Sequence, residues 1–74
     1  MEPIKTPIAI TTEYVTLGQF LKLADIISSG GEAKSYLAGH EILVDGVVDN
    51  RRGRKLYPSM IVEVAKHLYE IVHS

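Results

Sequence analysis

Arg51, Arg52, Arg54 and Lys55 concentrate half of the chain's eight Lys and Arg residues into five positions, interrupted only by Gly53. Guanidinium groups fork onto phosphate oxygens through paired N–H donors, and a glycine among them lets the backbone approach a ligand closely. The chemistry such a run offers is therefore recognition of a polyanion, phosphate by phosphate. A plainer use is a solvated loop whose charges keep a sheet edge from pairing with another chain. Four like charges so close together repel one another, and the nearby Asp45 and Asp49 can neutralise only part of that repulsion, which favours a ligand over solvation alone. The run is expected to face solvent, so that reversing Arg51 and Arg52 to Glu should weaken binding with little effect on folding.

Other chemistry finds less support. His40, His67 and His73 lack the spacing of a helical metal pair, and the chain has no cysteine, so neither a metal site nor another cofactor is expected. His40 reads more simply as a cation near a helix C-terminus. No serine sits in an elbow motif, and no nucleophile, base or metal ligand is assigned. Gly30-Gly31 ahead of a helix invites a phosphate cradle, but the P-loop pattern is absent and Glu32 already puts a negative charge in that turn. Among the aromatics, Phe20 and Tyr36 fall on core faces. Tyr57 stands alone beside the basic run and reads as a half-buried turn residue, so shape and phosphate recognition fits better than base stacking.

These residues need a mount, and the pattern around them supplies one. Ile42-Leu43-Val44 and Val47-Val48 are two short apolar runs separated by Asp45-Gly46, the pair that a two-residue type I′ hairpin turn demands. Thr16 with Gln19 three residues on makes a capping box, and Leu17, Phe20, Leu21, Ala24 and Ile27 then recur at helical spacing, predicting a first helix from Leu17 to Ile27. On it Gln19, Lys22 and Asp25 share the exposed side. Ser28-Ser29-Gly30-Gly31 ends that helix. Ser29 and Glu32 repeat the capping pattern for a second helix over 30–38, with Gly39 as its C-cap and Lys34 projecting from its surface. Leu56 to Ser59 reads as a turn and Ile61 to Val64 as a strand. Residues 65–74 fit either a helix or a strand, with the β-rich neighbourhood favouring a strand at about 67–72 that pairs with another near 8–12. Residues 1–7 carry two prolines and little pattern.

Length and composition bound the rest. Seventy-four residues, 46% of them apolar, predict one folded α+β domain spanning 1–74, without a second lobe to make a substrate cleft, which argues against an enzyme. No apolar run approaches a membrane span and the start lacks a signal-peptide pattern, so a cytoplasmic protein is expected. The net charge of −1 hides a division: residues 51–55 carry +4, while the remainder, with four lysines against nine acids, carries −5. Segregated charge of this kind can grip a polyanion locally.

The order of these features resembles the S4-type RNA-binding domain family. The similarity runs from about Thr16 to Val64: two short helices, Gly-Gly-Glu-Ala-Lys opening the second, Gly39-His40-Glu41-Ile42 leaving it, and Val44-Asp45-Gly46 where the family commonly has Val-Asn-Gly. Within the family it looks most like the short stand-alone bacterial proteins of the YaaA/YbcJ type, which share the Gly-Gly-x-Ala-Lys and Arg-Arg-Gly-Arg-Lys-Leu segments. The resemblance implies two short helices packed on a small, mainly antiparallel β-sheet, with the second helix and the hairpin presenting basic residues to structured RNA, such as ribosomal or transfer RNA or a ribonucleoprotein. Carried over residue by residue, the expected RNA contacts are Lys34, Arg51, Arg52, Arg54 and Lys55, with Lys22 and Gln19 as additions. Three positions depart from the family: Thr16-Leu17-Gly18 replaces Arg-Leu-Asp, Gly30-Gly31 replaces Ser-Arg, and Ser59-Met60 replaces a late Gly-Asp. The rival reading is a protein-interaction module, or an accessory to an RNA enzyme, whose basic run docks an acidic protein surface.

Overall fold

A computed structural model of the chain describes residues 4–74; of the unpatterned start read at 1–7, the first three residues lie outside them and the last three begin a strand. Seven strands and two short helices follow in the order β1 (Lys5–Ile10), β2 (Val15–Thr16), α1 (Leu17–Leu23), a 3-10 turn (Gly30–Glu32), α2 (Ala33–Gly39), β3 (Ile42–Val44), β4 (Val47–Val48), β5 (Lys55–Leu56), β6 (Ile61–Val64) and β7 (His67–His73). Five strands form one sheet in the order β1-β7-β6-β3-β4, while β2 and β5 make a separate two-stranded ribbon. Every pairing is antiparallel except β1 with β7, where Ile8 meets Ile71 and Ile10 meets His73. The expected α+β architecture, two short helices on a mainly antiparallel sheet, is what forms. None of its helices is long and apolar enough to cross a membrane.

The core explains the arrangement. Leu17, Phe20 and Leu21 of α1 and Leu37 of α2 pack against Ile42, Val44, Val62, Val64 and Ile71 of the sheet. Phe20 meets Tyr69 edge to face, with ring centroids 5.3 Å apart. Burying each large side chain of this set contributes about 1.5–3 kcal/mol, which is most of what a chain without disulfides has to offset its conformational entropy. The hairpin forms on the expected turn, with Asp45 at φ 49° and Gly46 at φ 84°, both in the region that type I′ requires.

Several boundaries differ from the sequence expectation, each for a local reason. Helix α1 stops at Leu23 rather than Ile27 because Asp25 takes φ 61° and the chain closes a Schellman motif. In it Ile26 N–H donates to the Leu21 carbonyl at 2.9 Å and Asp25 N–H to the Lys22 carbonyl at 3.0 Å. The second helix opens as a 3-10 turn, and Ser29 makes no side-chain cap; Ser28 Oγ instead donates to Glu32 Oε1 at 2.5 Å. Gly39 is the last helical residue and not a left-handed cap. His40 leaves in extended geometry and donates from Nδ1 to the Tyr36 carbonyl at 2.9 Å, stacked on the Tyr36 ring at 3.9 Å. Leu56 is not in a turn but fully buried in β5, and the turn falls one residue later, where Met60 N–H donates to the Tyr57 carbonyl at 3.1 Å. Strand β1 runs over Lys5–Ile10, three residues earlier than the strand expected at 8–12, and Pro7 is tolerated there because β1 is an edge.

Candidate nucleic-acid interface

The basic segment is not a free loop. The first N–H groups of a helix have no partner inside it, and here the segment's own carbonyls take them. Leu17 N–H donates to the Arg54 carbonyl at 2.8 Å and Gly18 N–H to the Arg52 carbonyl at 2.9 Å. The next is held within the capping box, Gln19 N–H donating to Thr16 Oγ1 at 3.3 Å while Gln19 Oε1 accepts from Thr16 N–H at 3.0 Å. Gly18 lies close against the segment. A Cβ there would make ordinary contacts, 3.4 Å to the Arg52 carbonyl oxygen and 3.5 Å to Ala33 Cβ, so α1, α2 and the basic segment meet at this position. Pairing of Thr16 with Lys55 and of Val15 with Leu56 fixes the far end of the segment.

Asp49 fixes the near end. Its buried carboxylate accepts from Arg51 three times, from the backbone N–H at 3.0 Å, from Nε at 3.0 Å and from Nη2 at 2.7 Å, and from Arg54 Nη1 at 3.3 Å. The side-chain hydrogen bond from Arg51 holds the Asp49 carboxyl well below the usual carboxylate range; burial opposes that, and the charges of Arg51 and Arg54 add to it. Arg51 in turn is raised above its ordinary value by the same hydrogen bond. Arg51 is exposed, as the sequence suggested, but its guanidinium fork is already engaged by a carboxylate. Asp45, the other expected neutraliser, is spent elsewhere, since its Oδ1 accepts from Ile61 N–H at 2.8 Å in the main sheet.

The run is thus sorted into three directions. Arg51 and Arg54 grip Asp49, making both ion pairs found among the described residues. Arg52 stands at the helices, where it lines a hollow with Lys34, Leu37, Ala38 and Asn50, and borders a second with Gln19, Lys22, Gly30 and Gly53. Lys55 lies on the outer ribbon, its Nζ 5.0 Å from the centre of the Tyr14 ring. Lys34, Arg52, Lys22 and Gln19, spread over 34 positions of sequence, are therefore brought to one surface around Arg52, whereas Lys55 faces a different neighbour. That surface can offer a fork, two ammonium groups and an amide to phosphate oxygens.

Sequence reasoning passed over Asn50, which carries no motif, and Tyr14, whose proximity to Lys55 exists only once β2 and β5 pair. The three histidines stand apart, His40 at the end of α2 and His67 and His73 at opposite ends of β7.

Comparison with known proteins fits this geometry. Residues 8–72 match the S4 domain family. A relative from Bacillus subtilis (strain 168), described as a probable ribosome maturation protein, RlbA, is 64% identical over 58 residues, covering 78% of this chain and 82% of the relative. With the family match extending from β1 into β7, and with that identity over most of both lengths, the chain belongs to the S4 domain family.

Proposed function

We propose that this protein is a non-enzymatic RNA-binding protein that docks on folded RNA of the ribosome or its precursors, chiefly through phosphates. The observation that carries the reading is the convergence of Lys22, Lys34 and Arg52, none in an ion pair among the described residues, on adjoining hollows beside a backbone-anchored segment. Arg51, Arg54 and Lys55 extend the contact, the first two with their charge partly offset by Asp49. The ribosomal choice of RNA rests on the description of the Bacillus relative.

A protein that neutralises about four phosphates shows a slope of log affinity against log salt of about −3. Titrating a structured ribosomal RNA fragment across salt concentrations should give that slope, and the pair Lys34→Glu with Arg52→Glu should reduce it to about −1 while leaving the melting temperature within a degree or two. A flat salt response would overturn the reading. Partners recovered from cells that persist after nuclease treatment, with no RNA affinity of the purified protein, would point instead to docking on an acidic protein surface.

A further inference from the structure

The β2–β5 ribbon carries an aromatic pair that the phosphate surface does not use. Its register sets Val15 opposite Leu56 and Thr16 opposite Lys55, so continuing the ladder by one step sets Tyr14 opposite Tyr57. Side chains alternate between faces along a strand. Val15 and Leu56 point into the core, and Tyr14, Tyr57, Thr16 and Lys55 therefore share the outer face. The two rings lie 5.7 Å apart at a 48° tilt, and Lys55 Nζ sits 5.0 Å from the Tyr14 ring centre. Tyr57 remains 41% exposed, more open than the half-buried turn residue its sequence position suggested. An aromatic pair whose sole task was to brace a two-residue ladder would gain most by burying both rings. Here Tyr14 packs against its partner and carries the Lys55 cation, and Tyr57 presents surface to solvent. Lys55 is both the first residue of β5 and the last of the basic segment, so the ribbon continues that segment without a break.

We propose that Tyr57, supported by Tyr14 and Lys55, is a stacking platform for one unpaired nucleotide flanking the duplex or folded element gripped at Arg52. The inference rests on the RNA reading above. Tyr57 offers a π-face to a base of any identity, and Lys55 offers its ammonium to that nucleotide's phosphate. The interface then recognises a junction between paired and unpaired RNA rather than a duplex alone.

The test uses the full chain with two RNAs: a blunt hairpin, and the same hairpin with a short single-stranded extension. Wild type should bind the extended hairpin more tightly. Tyr57→Ala should weaken binding of the extended hairpin roughly tenfold and leave the blunt one unchanged, with the salt slope preserved because stacking releases no counterions. Tyr57→Phe, which keeps the π-face, should behave as wild type. The fluorescent base aminopurine placed in the extension should be quenched by wild-type protein and not when placed in the stem, a readout that needs no variant to fold. Equal loss on both RNAs, a Phe variant as weak as Ala, or no quenching in the extension would overturn the platform. If wild type binds the blunt hairpin with a steep salt dependence but gains nothing from the extension, the platform alone falls. Binding to neither RNA removes the phosphate reading and the platform with it.

Discussion

Asp49 is the residue on which the proposed interface turns, because its buried carboxylate pairs with two of the four neighbouring cations, Arg51 and Arg54, and leaves Arg52 and Lys55 outside any ion pair among the described residues. Its replacement by Ala removes the acceptor for the Arg51 backbone N–H and for two guanidinium groups, and should cost about 1–2 kcal/mol, the low end reflecting how well solvated the arginines are. Urea melts of the two proteins measure that difference. The same residue sets a pH dependence. A carboxyl whose pKa is depressed on folding stabilises the native state at every pH above its unfolded value, about 3.9, and that contribution is lost as pH falls below it toward the folded value. Stability should therefore decline on acidification below about pH 4 in the wild type, and less steeply in Asp49→Asn, whose side chain cannot protonate. The sequence disclosed the cations and the presence of nearby acids. It could not disclose that Asp49 and not Asp45 is the partner, since both stand within reach along the chain and the choice is made by the hydrogen bond that draws Asp45 to Ile61.

At the scale of elements, what was legible followed local rules and what was missed depended on unusual conformers. The Thr16 capping box, the Asp45-Gly46 turn and the apolar strands could all be read because each used residues suited to its conformation. Helix α1 ended early because Asp25 takes a left-handed conformer, at φ 61°, with no turn motif around it to signal one, and the last hairpin was obscure because such conformers fell on residues that seldom adopt them: Ser59 at φ 75°, and Ala65 and Lys66 at φ 50° and 69°. Ser59 holds a left-handed backbone that glycine would adopt without strain. Ala65-Lys66 is a two-residue loop between Val64 and His67, with both residues at the positive φ of a type I′ turn. Replacing it with Asn-Gly should relieve that strain, stabilising the protein by about 1 kcal/mol and raising its melting temperature by about 4–8 °C, as calorimetry would record. RNA affinity should not change, because this turn lines neither hollow.

For the molecule as a whole, binding of a polyanion by a chain of net charge −1 requires that position matter more than total charge. At physiological salt the screening length is about 8 Å, so a charge well beyond it contributes little to a phosphate contact. The sheet gives an internal control. Lys5 sits in β1 in register with Leu68, Glu63, Leu43 and Val48 of β7, β6, β3 and β4, which places it four strand spacings, roughly 19 Å, from the strand that leads into the basic segment. Lys5→Glu and Lys34→Glu change the net charge by the same amount. If recognition is built at the Arg52 surface, Lys34→Glu should lower affinity for folded RNA about tenfold at physiological salt and reduce the salt slope by about 1, whereas Lys5→Glu should leave affinity within about twofold and the slope unaltered. Matched losses from both variants would mean that the protein responds to RNA through its overall charge, and the segregation that sets residues 51–55 against the rest of the chain would then have no part in recognition.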